Sequence, residues 1–160
     1  MSHPGPGHPG PGHPGPTEVV LPHEIAESIA AHARAERPNE ACGLVIGSAD
    51  AAVGGIPLRY EACRNEAASP VRYTIHPDDL YRLIVAVDDA DEAIWGIVHS
   101  HVRSPAVPSL TDIAQALYPA ALYVVVSLAD DQADPISGAP SLRAWRILDG
   151  VVHEVAVKVT

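Results

Sequence analysis

Apolar residues recur along this chain in two rhythms, one close to the helical period and one of two, and the changes between them divide the sequence into elements. From 22 to 36, PHEIAESIAAHARAE places Ile25, Ile29 and Ala33 on one stripe, which predicts a helix. Pro22 suits its first turn and Pro38 lies just past its end. ACGLVIG (41–47) reads as a short buried strand and IPLRYEAC (56–63) as a second, set off by the turn signal Gly54-Gly55. VRYTI (71–75) alternates as a third strand would. HPDDLYRLIVAVDDADE (76–92) returns to the helical period, with Leu80, Leu83, Ile84 and Val87 on one face and Asp78 and Asp79 at the positive end. AIWGIVHSH (93–101) is apolar enough for a central strand, SLTDIAQAL (109–117) is a short helix, and ALYVVVSLA (121–129) is another buried strand. After an acidic loop, SLRAWRILDG and VVHEVAVKV form a hairpin around Asp149-Gly150. Strands outnumber helices and the two kinds mix, so the fold class is α/β, a sheet with helices on its faces.

The first 16 residues have neither rhythm. They repeat His-Pro-Gly-Pro-Gly, which removes backbone donors and resists ordering, so a tail at 1–16 precedes a folded domain at 17–160. Its His3, His8 and His13 are able to bind a transition metal weakly. The chain has 160 residues, 47% of them hydrophobic and none of them Phe, so the core relies on Val, Ile, Leu and Ala. A net charge of −10 argues against nucleic acid as a partner. No apolar run approaches the roughly 20 residues that span a bilayer, and the N-terminus has no signal-peptide pattern. A cytoplasmic location without membrane association is the expectation. Cys42 and Cys63 are too few for a disulfide framework and are expected to be reduced.

HSHVRSPAVPSLTD (99–112) carries the candidate chemistry. On an extended strand the period of two turns His99 and His101 to one face and Ser100 to the other, so two imidazoles stand ready to grip one metal ion. Asp112 falls in the first turn of the following helix, and the proline-limited loop brings that turn back over the strand end. Two histidines and one carboxylate make three ligands, which is the count of a catalytic zinc site that keeps a fourth position for water. SLTD also reads as a helix cap, with Ser109 as N-cap and Asp112 closing a capping box, and the two readings compete for Asp112. Glu40, at the entrance of the strand 41–47 and followed by the small residues Ala41 and Gly43, is suited to take a proton from a metal-activated water. By itself it reads rather as a solvated charge at a strand entrance.

Glu40, then His99-Ser100-His101, seven residues, Ser109, two residues and Asp112 resemble the motif of the JAMM (MPN-plus) metalloproteases in every position, spacing and order. The resemblance extends over about 18–158 through RPNEACGLVIG, RNEAASPVRYTI, ALYVVVSL and LRAWRILDG, and is nearest to the small bacterial members that process ubiquitin-like sulfur carriers. It implies a JAMM-type sandwich of a mixed sheet flanked by helices, similar to that of cytidine deaminases. It implies Zn2+ held by His99, His101 and Asp112, Glu40 as general base and then acid, and Ser109 as donor to the oxyanion. The substrate implied is an amide after the Gly-Gly tail of a ubiquitin-like or sulfur carrier protein, including a carrier–cysteine adduct. Glycines allow close approach to a metal in a narrow groove, and such a tail would bind as an added strand. Asn65 is then a candidate substrate-binding residue of that groove, although an asparagine satisfying a local turn reads as well.

Other readings differ in what they require. A non-catalytic MPN scaffold that binds proteins would typically have lost the ligands. A nucleoside deaminase would need His-x-Glu and Cys-x-x-Cys, which are absent. An amidohydrolase barrel needs roughly 250 residues, and a cupin needs more strand histidines than the scattered His23, His32, His76 and His153 supply.

Overall fold

The structure, a computed structural model, describes residues 15–160; positions 1–14, most of the repeat read as a tail, lie outside the described residues. The chain runs β1 (Glu18–Leu21), α1 (His23–Glu36), β2 (Cys42–Gly47), β3 (Pro57–Cys63), α2 (Pro77–Asp89), β4 (Ala93–His101), α3 (Leu110–Ala114), β5 (Leu122–Ser127), β6 (Ser141–Leu148) and β7 (Val151–Val159). The strands form one seven-stranded mixed sheet in the order β1-β7-β6-β5-β4-β2-β3. The pairs β1–β7 and β4–β5 are parallel and the others antiparallel. No helix of the described residues is long and apolar enough to cross a membrane.

Alternation along the strands divides the core between the two faces of the sheet. On one face Val45, Val98, Val124, Val126 and Ala144 meet Ile25, Ile29 and Ala33 of α1. On the other, Leu44, Ile97, Val125 and Trp145 meet Leu83 and Val87 of α2, with Ile113 of α3 packed against them. Burying each of the larger side chains stabilises the fold by about 1.5–3 kcal/mol. The sheet is therefore the middle of three layers, and β4, flanked by β2 and β5, is interior as its composition predicts.

Several predicted elements need correction. The segment 71–75 is not a strand: its one ladder contact is the isolated bridge Asn65↔Ile75. Val71 is exposed, and the Asn65 side chain takes the place of a strand partner. Helix α2 stops at Asp89, since Asp91 adopts a left-handed φ of 54°. Helix α3 ends at Ala114, three residues short of its predicted end at 117. Strand β1 has no counterpart in the sequence reading; four residues beside β7 are too short for a periodic signal. The hairpin β6–β7 forms on Asp149-Gly150, both with positive φ (49° and 77°), as a tight two-residue turn requires.

Gly43 marks a close approach, as its neighbourhood suggests, but the visitor is the protein itself. A Cβ there would lie 2.5 Å from the Tyr60 hydroxyl and from the Glu61 carbonyl oxygen of β3. Gly43→Ala is expected to destabilise the fold by about 1–3 kcal/mol through this overpacking. Urea denaturation checks it; unchanged stability would show that β3 yields without cost.

Candidate metal and active site

Strand β4 delivers both histidines to the end of the sheet on the face that carries α2 and α3. His99 and His101 are both almost fully buried, and their Nε2 atoms lie 3.2 Å apart. Ser100, on the opposite face, accepts a hydrogen bond from the Ala41 amide at 2.8 Å, and its own amide donates to the Ala41 carbonyl. The residue between the histidines thus fixes the backbone next to Glu40. The Glu40 amide donates to the Ser69 carbonyl, and its carbonyl accepts from Asn65 Nδ2. Strand β4 and the loop 64–76 therefore hold Glu40 from two sides. Its carboxylate faces inward at 2% exposure, and one donor atom each of Glu40, His99 and His101 lie within 4.8 Å of one another.

Asp112 closes the group from the other side. Its Oδ2 lies 3.0 Å from His99 Nε2 and 3.2 Å from His101 Nε2. The same oxygen accepts from the Ser109 amide at 2.8 Å, while Ser109 Oγ accepts from the Asp112 amide at 3.1 Å. The capping box forms without turning the carboxylate away from the imidazoles. The capping box holds the carboxylate in the orientation that faces the imidazoles, so one geometry satisfies both.

The partners of each ring bear on where its protons lie. His101 Nδ1 lies 2.7 Å from the Pro105 carbonyl oxygen. A carbonyl only accepts, so Nδ1 carries a proton, and Nε2 faces the Asp112 carboxylate either as a second donor in the charged ring or, in the neutral ring, as a lone pair that a metal ion would satisfy. Burial opposes charge on His101, but Asp112 and the Pro105 carbonyl outweigh it and raise its pKa. Burial holds His99 below its ordinary value. Burial alone would raise Asp112, but the two imidazoles keep its carboxyl well below the usual range. Glu40 is pushed up to about 7, chiefly by burial, which is the range of a working general base. Glu40 Oε1 and His99 Nδ1 are buried without a hydrogen-bond partner.

These residues fit a zinc ion. Donors about 2.0–2.1 Å from a tetrahedral zinc are about 3.3 Å from one another. The three contacts among Asp112 Oδ2, His99 Nε2 and His101 Nε2 span 3.0–3.2 Å.

Two residues modify the sequence reading. Asn65 has its side chain fully committed: Oδ1 accepts from the amides of Ala67 and Thr74, and Nδ2 donates to the carbonyls of Glu40 and Arg72. That is the local-turn alternative, with the amide bracing the loop that holds Glu40. Tyr73, unremarked in the sequence, stacks on His99 with centroids 4.4 Å apart and 18° between the planes. Burial raises its pKa, and Asp112 adds to the shift, which puts the phenol beside the cluster. A lone tyrosine in an alternating stretch carries no signal of such a role.

Prokaryotic homologs of the JAB domain form a family that matches residues 22–148. A CysO-cysteine peptidase of Mycobacterium tuberculosis is 35% identical over 141 residues, covering 88% of this chain and 90% of that protein. A desampylase of Haloferax volcanii is 32% identical over 112 residues, covering 67% and 78% of the two chains. The solution structure of a protein from Desulfitobacterium hafniense superposes with a TM-score of 0.68 at 28% identity, covering 88% of this chain and 92% of that one. A JAB1/MPN domain protein from Archaeoglobus fulgidus shares the fold, with a TM-score of 0.51 at 17% identity and coverage of 86% and 96%. The α/β architecture, the matched span and these relatives agree: the chain belongs to the prokaryotic JAB family and is a hydrolase of the JAMM type.

Proposed function

We propose that this protein is a zinc peptidase that hydrolyses the amide after the C-terminal Gly-Gly of a ubiquitin-like or sulfur carrier protein, and that it releases cysteine from a carrier–cysteine adduct in the cytoplasm. The observation that carries the zinc reading is the convergence of His99 Nε2 and His101 Nε2 on one oxygen, Asp112 Oδ2, at 3.0 and 3.2 Å. The similarity to a mycobacterial CysO-cysteine peptidase and a haloarchaeal desampylase supports the substrate class.

His99, His101 and Asp112 would hold the ion, and Glu40 would stand outside its ligands. Zinc, when bound, supplies Lewis-acid polarisation of the scissile carbonyl and acidifies a water. Glu40 Oε1, which has no other partner, takes the proton of the attacking water and passes it to the leaving amide nitrogen. Ser109 Oγ already accepts from the Asp112 amide, so its O–H remains to donate to the developing oxyanion. One such donor contributes about 3 kcal/mol to lowering the barrier. The proton begins on water and ends on the amine, and no covalent enzyme intermediate is needed.

The direct test is incubation of wild type and Glu40→Ala with a carrier–cysteine adduct, followed by mass spectrometry. Wild type is expected to release cysteine and Glu40→Ala to be slower by about 100-fold or more. Equal rates would remove Glu40 from the chemistry. A purified protein without metal that cleaves nothing would favour the non-catalytic scaffold.

Glu40 also makes a stability prediction. Its folded pKa of about 7 exceeds the 4.5 of an unperturbed glutamate, so the metal-free fold binds this proton more tightly than the unfolded chain. Its favourable contribution is full below the unfolded value and is lost as pH rises through about 7. Metal-free Glu40→Gln is expected to be more stable than wild type at pH 8, by up to about 3 kcal/mol, and close to it at pH 4. Urea denaturation at the two pH values checks this, and a pH-independent difference would contradict it.

His99 lacks the carbonyl partner that His101 has, so the Tyr73 ring fixes its plane. Tyr73→Ala is expected to weaken zinc binding about tenfold, and Tyr73→Phe by less than about twofold because the ring remains. Competition titration with a zinc chelator measures both; equal losses would shift the role to the hydroxyl.

A further inference from the structure

Three consecutive backbone carbonyls in the loop between β4 and α3 are each captured by a side chain from a different strand. Ser127 Oγ on β5 donates to the Ser104 carbonyl at 2.6 Å. His101 Nδ1 on β4 donates to the Pro105 carbonyl at 2.7 Å. Trp145 Nε1 on β6 donates to the Ala106 carbonyl at 3.0 Å. The strands are neighbours in the order β6-β5-β4, so the loop is tied to three adjacent strands. His101 and Ser127 are direct partners across the parallel β4–β5 ladder.

Buried carbonyls need donors, and this loop has few of its own because Pro105 and Pro108 have no N–H. Only the Val107 amide reaches back, to the Pro105 carbonyl at 2.8 Å. Ala106 is fully buried among Trp145 and its neighbours, which anchors the middle of the loop. Arg143 lies over the Trp145 ring at 4.7 Å, itself held by two bonds to Glu154, and keeps the indole in place. The loop leads directly into Ser109 and Asp112. Its Pro105 carbonyl also sets which nitrogen of His101 carries the proton. Displacing the loop would therefore move one expected ligand and change the tautomer of another.

We infer that Ser127 and Trp145 are positioning residues for the metal site: they hold the loop 102–108 so that Pro105 fixes the His101 tautomer and Asp112 meets both imidazoles. This rests on the zinc reading above. The test uses the full chain with Ser127→Ala, Trp145→Phe and, as a control in the same core cluster, Ile147→Val. Zinc affinity by chelator competition, the cobalt(II) absorption spectrum and amide hydrogen exchange of the metal-free protein are measured. Ser127→Ala and Trp145→Phe are each expected to weaken zinc binding about tenfold, the scale of lost support to a metal ligand. They are also expected to alter the cobalt bands and to speed exchange at the Val107 amide. Ile147→Val should lower thermal stability and leave zinc affinity and the cobalt bands unchanged.

Zinc affinities within twofold of wild type with an unchanged cobalt spectrum would overturn the inference, as would a control that loses affinity to the same degree. If Trp145→Phe does not fold, Ser127→Ala decides alone. If the wild type binds neither zinc nor cobalt, the metal reading fails. The clasp is then judged on exchange alone, and an unchanged Val107 rate in Ser127→Ala overturns it too.

Discussion

One carboxylate oxygen, Asp112 Oδ2, joins the helix cap to the strand-borne histidines. It accepts from the Ser109 amide and faces both imidazole Nε2 atoms, all within 3.2 Å. A helix as short as α3 gains little from its own hydrogen bonds. Its orientation comes from the cap and from Ile113 packed on the sheet, and that orientation aims Asp112. Local backbone satisfaction and site geometry are therefore the same set of contacts. Disturbing either disturbs both.

The other half of the site depends on strand alternation. Because β4 alternates, His99 and His101 share one face and Ser100 points to the other, where it ties down the backbone at Ala41. The loop 64–76 completes the support for Glu40 through Ser69 and Asn65, and places Tyr73 against His99. Each buried polar group at the site has its backbone pinned from a second element. Within the site, Glu40 Oε1 and His99 Nδ1 are buried without a hydrogen-bond partner, and both belong to side chains proposed for chemistry or metal binding. Unsatisfied buried groups are costly in a structure that does not use them.

Much of this was legible in the chain. The apolar run 93–101 delimits β4 at both ends, since burial on both faces leaves no competing pattern. The fixed spacing from His99 to Asp112 identified residues that the fold brings together. What stayed hidden depends on contacts distant in sequence. VRYTI alternates as a strand does, yet the side chain of Asn65 outcompetes a ladder for its backbone groups. The cap and metal readings of Asp112 stand against each other in the sequence because spacing carries no angle, and the fold shows one oxygen accepting the cap amide while facing the imidazole. Tyr73, Ser127 and Trp145 sit in ordinary apolar surroundings, and only the folded loops show what they touch.

The sheet order has a consequence for how the molecule can be tethered. The Ala156 amide bonds the Thr17 carbonyl, and the His23 amide bonds the Thr160 carbonyl, so both ends of the described chain meet at the β1–β7 border. In the sheet order β6 and β5 lie between that border and β4. A fusion partner or a solid support attached after Thr160 would be anchored beside β1 and β7, with β6 and β5 between it and the histidines of β4.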